Sequence, residues 1–205
     1  MTREILSVTR RQGAACIRLR DGEEVRFPAR MLSIYPLRAG QMLDTEALDA
    51  FLREHAPAYA LERAVKMQAT RDHTEKEIAD ALEKSAYPSY AVAYALSLMT
   101  RAQWVSDRRF AENFTRTRSV RYGKSRLRSE MRRKGVSDDD ADAALSALSE
   151  EDEFAAALSA AQRLRRQHKD DDHTLQALLR RGFPFGLCRR AVEATRLPPE
   201  ETDEP

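Results

Sequence analysis

Cysteine is almost missing from this chain: only Cys16 and Cys188 occur in 205 residues, far apart, with no CxxC pair and no neighbouring ligand histidine. That spacing argues against both a disulfide framework and a zinc site. Glycine is equally sparse, seven residues scattered singly, so no glycine-rich phosphate loop can form, and HExxH, GxSxG and P-loop motifs are absent as well. No apolar run approaches membrane-spanning length, and the start, MTREILSVTRRQG, breaks into charge after a few residues, which predicts neither a signal peptide nor a transmembrane helix. Carboxylates are plentiful, but they sit at the starts of expected helices with no apolar pocket to raise a pKa for acid catalysis. His168 and His173 flank Lys169-Asp170-Asp171-Asp172, a spacing that suits a polar loop between helices better than a metal site. These absences predict a soluble cytoplasmic protein that is not an enzyme, carries no cofactor or metal, touches no membrane and is a monomer.

What the chain has in abundance is charge, 33% of its residues, beside a hydrophobic share of 42% that is rich in alanine. That balance favours small helical units over one thick core. The charge concentrates in Asp107 to Val136, DRRFAENFTRTRSVRYGKSRLRSEMRRKGV, where eleven cations face only Asp107, Glu112 and Glu130, a net of +8 against +2 for the whole chain. Within it, Phe110/Phe114 and Leu127/Met131 are each spaced i to i+4, so each pair can turn one face of a helix to a core, with Gly123 between them. An exposed helix ordinarily interleaves both signs, and so large an excess of one sign repels itself unless a polyanion or an acidic protein surface meets it. The plainer reading is that arginine is a good helix former whose stem covers apolar surface. Ser137 to Glu153 follows with eight acids and no cation. Those acids suit the starts of two helices, where they complement the macrodipole. A sharper reading gives the protein a cationic and an anionic face for different partners.

The opening segment has a different rhythm. Ala15–Arg20 and Glu23–Pro28 alternate with period two around Asp21-Gly22, the signature of a β-hairpin, and Ile5, Leu6 and Val8 can add a third strand. Met31/Leu32/Tyr35 then turns helical, Asp44 is placed to cap a helix through Leu48, Phe51 and Leu52, and Pro57 closes the piece.

From Tyr59 onward a pattern repeats three times. Helices are expected to begin at Tyr59, Phe110 and Phe154; each is followed by a polar break, a second helix, and then a small residue, an apolar residue and Ser or Pro at 86, 135 and 182. The first second helix starts with the capping box Thr74-Glu75-Lys76-Glu77, and each small residue fits the left-handed position just past a helix end. Pro88, Ser137 and Pro184 then open a third helix. The expected architecture is mostly α: an elongated tandem array of three three-helix repeats preceded by a small N-terminal β-hairpin plus helix. Its divisions are 1–57, repeats at 58–105, 106–150 (basic) and 151–197, and a disordered acidic tail at 198–205. Phe110 and Phe114 are expected in the core, and Trp104, Tyr87, Tyr90 and Tyr94 in packing.

At the central stretch Asp107, Phe110-Ala111, Phe114, Arg118, Gly123, Arg126, Leu127, Met131 and Lys134-Gly135-Val136 resemble the D-x-x-F-A…R…G…I-x-x-x-L-x-x-K-G-I core of the RecX family, with Leu127 and Met131 as conservative departures. Thr74-Glu75-Lys76-Glu77-Ile78 is similar to that family's S-E-K-E-L element. Ala86-Tyr87 departs from the Gly-aliphatic pair usual in the first repeat, and the third repeat is short and divergent. The resemblance implies a modular helical protein that binds the RecA recombinase filament along its groove and inhibits ATP hydrolysis, strand exchange and coprotease function, with contact to single- or double-stranded DNA. Arg116, Arg118, Arg121, Lys124, Arg126, Arg128, Arg132, Arg133 and Lys134 are then the expected filament- or DNA-binding residues. Two alternatives stand beside it: a freestanding, helix-turn-helix-like DNA-binding protein, since three-helix units with a basic second helix can enter a major groove, and a scaffold whose basic and acidic faces dock copies together.

Overall fold

The computed structural model describes residues 2–196, so the acidic tail expected at 198–205 lies outside the described residues. The chain divides into two compact units, Met1–Ser106 and Asp107–Pro205.

In the first unit, β1 (Thr2–Arg11), β2 (Ala14–Leu19), β3 (Glu24–Pro28) and β4 (Met42–Asp44) form an antiparallel sheet in the order β3-β2-β1-β4. The expected hairpin is β2–β3: the Asp21 carboxylate accepts from the Glu23 N–H at 3.1 Å, and Gly22 turns the chain at φ +89°. β1 is the anticipated third strand, joined to β2 through Gln12-Gly13, both at positive φ (53° and 87°), the two-residue turn whose twist matches that of the strands. β4 was not foreseen; three residues carry no alternation, and only their pairing with Thr2–Glu4 makes them a strand. Ile5, Ile17, Leu19 and Phe27 are buried and share one core with the helices that follow. At Met31/Leu32 the helical pattern resolves as a single 3-10 turn, Ala29–Ser33.

The helix expected to stop at Pro57 does not stop, and none begins at Tyr59. One helix, α1 (Thr45–Gln68), runs through both positions, capped by Asp44, whose side chain accepts from the Glu46 N–H. An internal proline costs about 3 kcal/mol, since it removes one helical hydrogen bond and crowds the preceding turn. Here Leu48, Leu52, Ala56, Ala60 and Ala64 recur every four residues and are all buried, and that continuous inner stripe outweighs the local penalty. α2 (Glu75–Lys84) opens on the anticipated capping box between Thr74 and Glu77, and α3 (Ser89–Arg101) returns alongside α1.

The second unit holds α4 (Asp107–Arg118), α5 (Lys124–Arg133), α6 (Asp138–Ser146), α7 (Glu150–Arg166), α8 (Asp171–Arg180) and α9 (Phe185–Ala194). Two small cores divide it. Phe110, Phe114, Leu127, Met131, Val136 and Leu145 fill one, with the two phenylalanine rings 5.6 Å apart. In the other, Ala157, Ala160 and Ala161 form the inner face of α7 and pack with Leu178, Phe183, Leu187 and Cys188.

α2, α5 and α8 end in the same way. Ala86, Gly135 and Gly182 sit at φ +62°, +92° and +83°. Behind each, two N–H groups fold back onto the helix: Tyr87 to the Leu82 carbonyl at 3.1 Å, Val136 to Met131 at 3.1 Å and Phe183 to Leu178 at 3.4 Å are the longer-range member of each pair. The residue after each left-handed position is buried against the helix it has just left, which completes the hydrophobic half of this cap. The expected recurrence at 86, 135 and 182 is therefore a recurrence of backbone geometry.

Candidate polyanion-binding surface

The basic stretch is held in place by backbone contact with the last three helices. Gly123 precedes α5 and approaches Gly182 so closely that a Cβ on Gly123 would lie 2.3 Å from the Gly182 carbonyl oxygen, and its N–H donates to the Arg181 carbonyl at 2.9 Å. Gly182 is as tight on the other side, where a Cβ would meet the Arg126 nitrogen at 2.5 Å. Glu153, from the first turn of α7, is buried and accepts from the Lys124 N–H at 2.9 Å. It thus places a carboxylate at the positive end of α5, where no side chain of Gly123 can act as a cap.

At least five of the nine expected binding residues have carboxylate partners among the described residues. Arg118 and Arg126 converge on Glu130 at 3.0 and 2.9 Å. Arg126 also lies over the Tyr122 ring at 4.3 Å, and Arg118 over Phe114 at 5.0 Å. Lys124 donates from Nζ to the Leu148 carbonyl at 2.7 Å and stands 3.9 Å from Glu153. Arg128 pairs with Asp142, and Arg132 with Asp138 at 2.8 Å. Lys134 lies over the Phe110 ring at 5.7 Å. Exposed pairs of this kind are worth less than about 1 kcal/mol each and leave the cations reachable, yet they lower the net field of the stretch.

The anionic segment is accordingly not a separate face. Asp138 and Asp142 on α6 are folded against α5, Ser137 caps α6 by accepting from the Asp140 N–H, and Ser149 with Asp152 forms a capping box on α7. Macrodipole complementation and neutralisation of the neighbouring arginines account for most of these acids.

The cations left without a carboxylate partner among the described residues of this unit include Arg116, Arg121 and Arg133 from the expected set, and also Arg163, Arg166, Arg180 and Arg181. Arg116 is exposed and donates to the Asn113 side chain at 3.0 Å. Arg121, Arg163 and Arg181, with Tyr122, Leu164 and Gln167, line an open cleft of about 330 Å³. Burial, then the like charges of Arg163 and Arg126, pull the Arg181 guanidinium below its ordinary pKa. Arg163 and Arg181 lie outside the basic stretch, 42 and 60 residues beyond Arg121 in the sequence, and only the fold brings them beside it.

The aromatic expectations divide. Phe110, Phe114 and Tyr87 are buried. Tyr90 and Tyr94 are 40% and 46% exposed, because Ala91, Val92, Ala95 and Met99 form the inner face of α3 and leave both tyrosines on the outer one. Trp104 is 53% exposed, and its carbonyl accepts from the Gln68 side chain just after the left-handed Gln103. Burial raises the Cys188 thiol to about 11. Among the described residues, no group of three or more His, Cys, Asp or Glu is arranged to hold a metal ion, and no helix is long and apolar enough to cross a membrane.

Small helical units with repeating caps, an N-terminal antiparallel sheet and an arginine-rich middle define a helical-repeat protein. Residues 106–145 match the family model described as the RecX second three-helix domain. A regulatory protein RecX from Chlorobium phaeobacteroides is 34% identical over 141 residues, 65% of this chain and 91% of the relative. One from Chromobacterium violaceum is 30% identical over 134 residues, 63% of this chain and 86% of the relative. A crystal structure of a regulatory protein RecX shares the fold, with a TM-score of 0.61 at 23% identity over 93% of this chain and 99% of that one. The chain belongs to the RecX family.

Proposed function

We propose that this protein is a non-enzymatic regulator that binds the RecA recombinase filament through the basic surface of α4 and α5 and inhibits its ATPase, strand-exchange and coprotease activities. Membership of a family whose curated relatives are named regulatory proteins supports the regulatory part. The observation that carries the binding part is the set of arginines with no carboxylate partner among the described residues, Arg116, Arg121 and Arg133, set among paired cations that remain exposed. A nucleoprotein filament offers both acidic protein surface and phosphate to such a surface, and complementary charge raises the rate and selectivity of encounter.

The test is the DNA-dependent ATPase of a cognate recombinase, titrated with this protein at substoichiometric ratios. The wild type inhibits. A double variant, Arg116→Glu with Arg133→Glu, breaks no ion pair to a described carboxylate and raises the half-inhibiting concentration about tenfold, equivalent to about 1.4 kcal/mol of coupling. Absence of wild-type inhibition, or equal inhibition by the double variant, overturns the reading. Tight, sequence-selective duplex binding in the absence of recombinase favours instead a freestanding DNA-binding protein.

A further inference from the structure

The cleft between the α4–α5 loop and the ends of α7 and α8 is lined by three arginines from three separate segments, Arg121, Arg163 and Arg181, and no described carboxylate lines it. Helix C-termini arrive here too, and their partial negative charges, about half a unit each, offset only part of three full positive charges. Burial weakens Arg181's hold on its proton, and the like charge of Arg163 weakens it further. Proteins leave like charges facing one cavity where an anion is to be received.

We infer that Arg121, Arg163 and Arg181 form a subsite for a backbone phosphate of a nucleic-acid strand. Guanidinium forks match phosphate oxygens, and three of them approaching one small cleft suit a compact anion. A strand fits better than an acidic protein segment because the uncompensated charge continues away from the cleft. Arg166 stands one helical turn beyond Arg163, and Arg180 is next to Arg181, so further cations without a described carboxylate partner lie close by for neighbouring phosphates. Tyr122 lines the same cleft with the Arg126 guanidinium stacked over its ring, a rigid wall beside the phosphate. The subsite lies outside the nine residues singled out from sequence except for Arg121. It deepens the filament reading by assigning a direct nucleic-acid contact to the last three helices as well as the middle three.

The experiment uses the full chain without recombinase. A fluorescein-labelled oligothymidylate of about 20 nucleotides, enough to span several phosphate contacts, is titrated by fluorescence anisotropy across a salt series, with wild type and with Arg121→Gln/Arg163→Gln. Far-UV circular dichroism checks that both have the same helical content. The double variant binds about tenfold more weakly, and the slope of log affinity against log salt becomes shallower by about 0.7 for each phosphate that is no longer neutralised. Equal affinity and slope for the two proteins overturn the subsite. So does binding of inorganic phosphate, followed by phosphorus NMR, that needs these arginines while oligonucleotide binding does not. Displacement of the oligonucleotide by polyglutamate as effectively as by polyphosphate also overturns it, since that marks a carboxylate site. The filament reading fails separately, in the ATPase assay: a protein that binds oligonucleotide through these arginines yet leaves the recombinase unaffected keeps the subsite and loses the filament.

Discussion

Replacing Gly123 with alanine isolates the contribution of a close backbone approach, because Gly123 lies at an ordinary φ of −75° and its substitution carries no left-handed strain. The added Cβ would lie 2.3 Å from the Gly182 carbonyl oxygen, 2.5 Å from its carbon and 2.7 Å from Phe183 Cα, three backbone atoms that cannot rotate away. Normal contact demands roughly 1 Å of separation between the start of α5 and the end of α8, an overpacking worth about 1–3 kcal/mol. That movement also stretches the Gly123 N–H bond to Arg181 and the Lys124 N–H bond to Glu153, both 2.9 Å, at about 1 kcal/mol or somewhat less apiece. The expected loss is about 2–4 kcal/mol, or a fall of about 1–2 M in urea midpoint for a slope near 2 kcal/mol/M. Gly22→Ala is the matched control: it sits at φ +89° with nothing within 4 Å of an added Cβ, so it shows left-handed strain of about 1–2 kcal/mol and no clash. Urea unfolding followed by far-UV circular dichroism reports the whole chain, and fluorescence of Trp104, the single tryptophan, reports the first unit. A Gly123→Ala loss no greater than that of Gly22→Ala refutes the reasoning.

Phe110→Ala and Phe114→Ala each remove a buried ring from the first core of the second unit and lower stability by about 3–5 kcal/mol, measured by the same unfolding curves. Ala86→Gly relieves the one repeated cap that lacks glycine and raises stability by about 1 kcal/mol, visible as a higher urea midpoint. With its pKa near 11, the Cys188 thiol is about one part in a thousand thiolate at pH 8. Thiol titration with a chromogenic disulfide therefore labels Cys188 only on unfolding, whereas the partly exposed Cys16 reacts in the folded protein.

The repeat of helix ends could be read from sequence because a left-handed position followed by a buried apolar residue constrains residue type at two adjacent sites, as at Gly135-Val136 and Gly182-Phe183. Capping was equally local: Asp44, Thr74 and Ser137 each bond within three residues. Expectations failed where distant segments decide. Pro57 stays inside α1 because burial of Ala56 and Ala60 is a tertiary effect. Glu153 looked like one more macrodipole acid, but the approach of α7 to α5 makes it a buried cap on another helix. The surplus of arginine was plain from the sequence; which arginines Glu130, Asp138 and Asp142 would satisfy depended on how α5 and α6 pack. The cleft of Arg121, Arg163 and Arg181 was invisible for the same reason.

The contact between Gly123 and Gly182 is made of main-chain atoms on the Gly182 side. Recognition of that sort reads the path of the chain and ignores what hangs from it. So long as the two glycines are kept, exchanging outward-facing residues of the final helices leaves this seat intact.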